Sequence, residues 1–189
     1  MGWWRRLFGE PRRPETPPAV TFPGGARGRS RREAFDLGHS GPAFEVNLNV
    51  LFQPEEVLRE RVASAEAFAE YLKQVMDTAA AYWAGVPPGE GRAVALVLAV
   101  KPGGRSRFWL EASPPGLDEG LVRGLLGRLQ RLPAPAVRGG PVALALRATL
   151  WGCGGTPGGW PHLPREWQEA CAGRELLVPD GVLAVVWPD

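Results

Sequence analysis

The chain has 189 residues, enough for one good hydrophobic core with appendages and too few for two large domains. Apolar residues make up 44% of it, which supports a globular body, while 25 glycines and 20 prolines predict long loops. The net charge is only +2, but residues 1–32 carry eight arginines against Glu10 and Glu15, so a basic tail precedes a mildly acidic body.

Several classes of protein are excluded by simple counts. No apolar run reaches the roughly 20 residues of a membrane-spanning helix. Two cysteines are too few for a disulfide scaffold, and the first residues lack the long apolar region of a secretory signal. We therefore expect a cytoplasmic protein, with peripheral membrane association as the alternative.

Residues 1–41 are predicted to form a disordered basic arm with a short amphipathic start. Its apolar side chains suit the interface of an anionic membrane, although so short a segment buries little area. These side chains are Trp3, Trp4, Leu7 and Phe8. The arginines expected to contact an anionic surface are Arg5, Arg6, Arg27, Arg29, Arg31 and Arg32. No aromatic residue lies among the last four for stacking on bases, so a solvated tether is favoured over nucleic-acid binding.

Residues 42–189 are predicted to form a single α+β domain. Apolar and polar residues alternate from Phe44 to Phe52, which predicts an antiparallel strand with one buried face. Pro54 then starts a helical stripe that runs to Trp83, either as two helices broken near Ser64 or as one kinked helix.

The stretch from Arg92 to Trp151 predicts a ββαβ unit. Two strand-like runs, 93–100 and 106–112, flank a glycine turn, and leucines recur at helical spacing from Leu117 to Leu132. Prolines end that helix, and Val142–Leu150 is again strand-like. Further strand-like residues, Val182–Trp187, predict a fifth strand, so we expect a mainly antiparallel sheet covered by the two helices.

This unit resembles the carboxy-terminal domain of the TonB and TolA energy-transducer family. The likeness covers residues 92–151 and is carried by the turn Pro102–Arg105, by Ser113-Pro114-Pro115-Gly116 before the helix, and by the proline step 133–141 before the last strand. The resemblance implies binding by pairing of an exposed strand edge with a strand of a partner. That family carries a membrane-spanning segment that is missing here, so the resemblance does not imply proton-driven transport.

Few residues suggest catalysis. Cys153 follows a strand in a tight glycine loop, with His162 as a base, so a small enzyme with a Cys153/His162 site is one hypothesis. No third orienting residue can be named. Zinc binding by Cys153, His162 and Cys171 is disfavoured because their eight-residue gaps match no common ligand spacing. We predict no metal and no cofactor.

Tryptophans are the more suggestive residues. Trp109 lies on the outer side of its strand and Trp160 in an irregular loop, and exposed tryptophans often mark binding surfaces. A third layer formed by the first long helix would bury Trp109 equally well. The favoured function is a non-catalytic adaptor domain that binds a protein partner through a sheet edge or through the Trp109 and Trp160 surface. The alternatives are the Cys153/His162 enzyme and association of the basic arm with nucleic acid or an anionic membrane.

Overall fold

The computed structural model describes residues 42–152, 163–172 and 179–189. Within these ranges four strands form one antiparallel sheet: β1 (Phe44–Leu51), β2 (Arg92–Lys101), β3 (Arg105–Ser113) and β4 (Val142–Leu150). Their order across the sheet is β1-β4-β2-β3, so β1 and β3 are its edges. The predicted hairpin is confirmed as β2 and β3, and its turn places Gly103 and Gly104 at positive φ, where glycine carries no steric penalty.

Five helices are described: α1 (Glu55–Arg61), α2 (Ala65–Ala84), α3 (Glu119–Leu129), α4 (Arg165–Cys171) and α5 (Pro179–Val186). The predicted break at Ser64 separates α1 from α2, because the Ser64 hydroxyl caps α2 by accepting a hydrogen bond from the amide of Ala67 at 3.2 Å. Asp118 caps α3 in the same way, accepting from the amide of Leu121 at 2.9 Å.

The main core lies between α1–α3 and one face of the sheet. Alternate residues of the two central strands face these helices and are buried, as the period of two requires. The core side chains of β2 and β4 are Val94, Leu96, Leu98, Val100, Val142, Leu144, Leu146, Ala148 and Leu150. Helix α2 contributes the largest group of helical side chains, Phe68, Tyr71, Leu72, Val75, Ala79 and Trp83.

The opposite face of the sheet is covered by α4 and α5. Its small side chains, Val97, Ala99, Ala143 and Ala145, pack against Trp167 of α4 and Val182 and Leu183 of α5. The prediction of a strand at Val182–Trp187 is therefore wrong. Val182 and Leu183 are buried, the next two residues are exposed and Val186 is again half-buried, which is helical spacing. Pro179 and Asp180 form the helix start.

Strand β1 does not bury one continuous face. A β-bulge shifts its register against β4 between Val46 and Leu48. Phe44 and Val46 therefore join the main core, whereas Val50 and Phe52 pack on the other side of the sheet beside Trp167. Leu48, expected in the buried row, is 40% exposed.

The predicted α+β class with a mainly antiparallel sheet is confirmed. The predicted ββαβ unit is formed by β2, β3, α3 and β4. The sheet has four strands in the described ranges, and helices cover both of its faces. In the same ranges no helix combines the length and the apolar composition needed to cross a bilayer.

Candidate functional site

A groove of about 640 Å³ runs between the edge strand β3 and helix α3. Its lining residues come from the second half of β3, the connection to α3 and one side of that helix. They are Leu110, Glu111, Ala112, Pro115, Gly116, Leu117, Glu119, Val122, Arg123, Leu126, Gly127 and Gln130. The groove lies directly beside an unpaired strand edge.

The floor of the groove is apolar and its rim is charged. Leu110, Val122 and Leu126 are half-buried and face the cleft, while Glu119 and Arg123 on the rim are exposed. The carboxylate of Glu119 and the guanidinium of Arg123 lie on this rim, whereas the carboxylate of Glu111 accepts from the amide of Arg165 at 3.0 Å, on the opposite face of the sheet. Such a surface suits apolar side chains, with Glu119 as its one carboxylate.

The floor continues to Gly127, whose missing side chain keeps the groove wide. A Cβ atom added at Gly127 meets no atom within 4 Å. This glycine therefore has no packing role in the described structure, although glycine within a helix lowers stability by roughly 0.5–1 kcal/mol relative to alanine.

Strand β3 directs alternate backbone groups out of the sheet. The side chain of Gln130 donates to the carbonyl oxygen of Ser106, which therefore points away from β2. Hydrogen bonds of β4 support the same assignment. The amide of Ala143 donates to Gln53 Oε1 at 2.9 Å and its carbonyl accepts from the amide of Phe52 at 3.4 Å, so both backbone groups of Ala143 face the β1 side.

In an antiparallel pair, every second residue directs its amide and carbonyl away from the partner strand. From Ser106 this alternation places the amides and carbonyls of Phe108, Leu110 and Ala112 on the free edge. No hydrogen bond within the described ranges uses these groups. The same residues direct their side chains toward the main core and the groove. Backbone pairing and side-chain insertion are thus available on one surface.

The other sheet edge is blunted. Strand β1 is bulged at Val46–Leu48, and bulges are a common protection of edge strands. No residue of β1 lines the groove described above. The β3 edge is therefore the better candidate surface for binding a strand.

Helix α3 is held at a fixed distance from β3. At one end the guanidinium of Arg92 donates to the carbonyl oxygens of Pro114 and Pro115 at 2.7 and 2.8 Å, which fixes the connection between β3 and α3. On the far side of α3, the hydroxyl of Tyr82 donates to the carbonyl of Leu121 at 2.8 Å. The groove is consequently bounded by restrained elements on both walls.

Trp109 is buried, only 7% exposed, so the expected exposed surface at this residue is wrong. Its ring packs edge-on against Trp167 at 5.2 Å between centroids, and its Nε1 donates to Glu166 at 2.6 Å. Glu166 also accepts from Arg107 at 2.9 and 3.1 Å. The covering layer that hides Trp109 is formed by α4, and not by the first long helix as the sequence suggested.

A second group of charged residues holds α5 against the sheet. Asp180 accepts two hydrogen bonds from Arg61, at 2.8 and 2.7 Å, and one from Gln53 at 3.1 Å. The Arg61 hydrogen bond lowers the pKa of the Asp180 carboxyl despite its partial burial. Beyond the helix, Asp189 accepts from Arg105 at 2.6 Å and from Lys101 at 3.0 Å, in that order the main causes of its lowered pKa. These groups neutralise each other, which is typical of a structural clamp.

The other sequence-predicted site residues lie outside the described ranges. They are Cys153, Trp160, His162 and the arginines and tryptophans of residues 1–41. Cys171 lies in α4, beside the back cluster that contains Trp167. Among the residues that the structure describes, no three histidine, cysteine or carboxylate side chains are grouped to hold a metal ion. The Cys153/His162 hypothesis and the contacts of the basic arm stay predictions.

The residues that the sequence analysis missed are Val122 and Leu126. Each follows a leucine of the predicted stripe, Leu121 and Leu125, so apolar residues occur in adjacent pairs along α3. A stripe wider than one row predicts a second contact surface. Gly127, a residue that is unfavourable within a helix, is the second signal.

Comparison with known proteins returns no match: no family model fits the sequence, and no curated protein or solved structure matches it. The resemblance to the TonB and TolA carboxy-terminal domains therefore stays a prediction, and the candidate function follows from the groove itself.

Proposed function

We propose that this protein is an adaptor domain that binds an extended peptide segment of a protein partner along β3. The peptide adds a strand to the free edge and inserts alternate side chains between β3 and α3. The observation that carries the proposal is the coincidence of outward backbone groups at Phe108, Leu110 and Ala112 with the apolar groove beside them. Strand β3 would then pair with the backbone of the peptide and also select its side chains.

The groove determines the chemistry of the peptide. Leu110, Val122 and Leu126 favour bulky apolar side chains at alternate positions, since those lie on one face of an extended peptide. Glu119 favours a basic residue beside it. The lining residues include no cysteine, histidine or serine, so the groove offers no nucleophile paired with a base, and its described side chains support binding better than catalysis.

The proposal is tested with a displayed library of random dodecapeptides, selected on the full chain in three forms. Wild type is expected to enrich peptides with alternating apolar residues. Gly127→Trp fills the groove and is expected to lose this enrichment, because its ring occupies the open space beside α3. Gly127→Ala is the matched control: it adds one methyl group, leaves the groove open and should retain the enrichment.

Binding is then located by hydrogen exchange. An enriched peptide should slow exchange of the amides of Phe108, Leu110 and Ala112 in the wild-type protein, since strand pairing protects those groups. Enrichment of the same peptides on Gly127→Trp, or protection confined to β1, would contradict the proposal. Absence of any enrichment on wild type would contradict it as well.

A further inference from the structure

The groove has a candidate occupant in this chain itself. Six consecutive residues, Trp3–Phe8, contain four large apolar side chains and two arginines and no proline or glycine. No six-residue run within residues 9–41 has more than two large apolar side chains. In an extended conformation, each face of the segment presents two large apolar side chains around one arginine.

This pattern matches the apolar floor of the groove in shape, and its arginine matches Glu119 on the rim in charge. Two apolar side chains on one face fit a floor formed by Leu110, Val122 and Leu126, and each fully buried large side chain contributes roughly 1.5–3 kcal/mol. The arginine between them complements the carboxylate of Glu119 on the rim. The segment carries positive charge only.

The connection between segment and groove is long enough. Phe44 is paired with Leu150, Leu150 with Arg92, and the neighbouring Ala93 with Ser113, so the start of β1 and the end of β3 lie at the same end of the sheet. Three strand spacings separate them, about 15 Å. The segment is joined to the domain by the 33 residues at positions 9–41, and a random-coil chain of that length spans roughly 30 Å on average.

We infer that the segment Trp3–Phe8 docks into the groove of its own chain and competes there with partner peptides. The inference rests on the proposed function in taking the groove as a peptide site. A tethered segment acts at an effective concentration of about 1 mM. If its intrinsic dissociation constant is about 100 μM, it weakens the binding of a competing peptide about 10-fold. Only partner peptides with a high affinity for the groove then displace the segment.

The test uses the full chain and a variant in which Trp3, Trp4, Leu7 and Phe8 are all replaced by serine. Methyl resonances in the groove, those of Leu110, Val122 and Leu126, should differ between the two proteins. Resonances of the back cluster, those of Val97, Val182 and Leu183, should not. Val20→Ser/Phe22→Ser is the matched control, since it removes apolar side chains from the same arm outside the segment and should leave the groove resonances unchanged.

Three results would overturn the inference. The first is identical groove resonances in wild type and the four-serine variant. The second is a difference that disappears on dilution, because the segment would then act on a second copy. The third is that the four serine substitutions leave the groove resonances unchanged and abolish only binding to vesicles of phosphatidylcholine and phosphatidylserine. The segment would then be a membrane anchor.

The same variant separates this inference from the proposed function. A dodecapeptide enriched on wild type should bind the four-serine variant about 10-fold more tightly. Equal affinity for both proteins, with enrichment still abolished by Gly127→Trp, would refute docking of the segment while the peptide-binding function stands.

Discussion

At the scale of single residues, two glycines of α3 have opposite roles. A Cβ atom at Gly124 would lie 2.5 Å from the hydroxyl oxygen of Tyr82, whereas one at Gly127 meets nothing within 4 Å. Gly127→Ala should therefore raise the free energy of unfolding by about 0.5–1 kcal/mol. Gly124→Ala should lower it by about 1 kcal/mol, because Tyr82 must move from its hydrogen bond to Leu121. Urea denaturation of the two variants measures both effects.

The cause of the Gly124 effect can be isolated in a Tyr82→Phe background. Removing the hydroxyl removes the nearest atom that the new methyl group would meet, and leaves two ring carbons at 3.3 and 3.5 Å. Gly124→Ala should then cost much less, so the double-mutant cycle should show a coupling of about 1 kcal/mol. A penalty of the same size in both backgrounds would show that the glycine is needed for another reason.

At the scale of elements, Glu166 fixes α4 to the sheet. Its carboxylate accepts from both Arg107 and the buried indole nitrogen of Trp109. Glu166→Ala leaves that indole without its acceptor and should lower the free energy of unfolding by about 1–3 kcal/mol. Glu166→Gln keeps an acceptor and should cost less. Guanidinium denaturation followed by tryptophan fluorescence checks both.

Glu169→Ala is the control on the same helix. Its partner Arg165 is one helical turn away and both side chains are well exposed, so the change should cost less than about 0.5 kcal/mol. A cost for Glu169→Ala equal to that of Glu166→Ala would mean that α4 responds to loss of helix-surface charge, and not to loss of its contact with Trp109.

Elements were predictable from the sequence where one period dominates. The pattern of β2, β3 and β4 and the leucine spacing of α3 predicted elements close to those observed. Val182–Trp187 was misassigned because a short run of β-branched residues fits a strand and a buried helix alike, and tertiary position decided between them. In β1 the alternation was real, but the bulge after Val46 moved the later residues to the other face.

At the scale of the whole molecule, the layers and the groove depend on long-range packing. The sequence predicted two helices over a sheet, and α2 and α3 do cover one face. That α4 and α5 cover the other face depends on contacts such as Arg61 with Asp180 and Arg107 with Glu166, which join residues far apart in the chain. The spacing of residues along the sequence does not predict such ion pairs. The groove likewise requires β3 to be an edge strand, and strand order was beyond the sequence.

These long-range ion pairs make the three-layer arrangement sensitive to acid. Folding lowers the pKa of Asp180, chiefly through its hydrogen bond with Arg61, so the contact stabilises the fold above the unfolded pKa of the carboxyl. That contribution is lost as the pH falls below the ordinary aspartate range and through the lowered pKa. Asp180→Asn should cost about 1 kcal/mol at pH 7, a small value because the Asp180 side chain is 39% exposed.

The difference between wild type and Asp180→Asn should shrink as the pH falls below the ordinary aspartate range, since the wild-type carboxyl then becomes protonated as well. Urea denaturation at a series of pH values measures this convergence. Asp77→Asn is the control, because Asp77 forms only an exposed pair with Lys73 on α2, and its curve should follow that of wild type. A constant gap between wild type and Asp180→Asn at all pH values would show that the substitution disturbs packing of α5, and that the Arg61 ion pair does not hold the back layer in place.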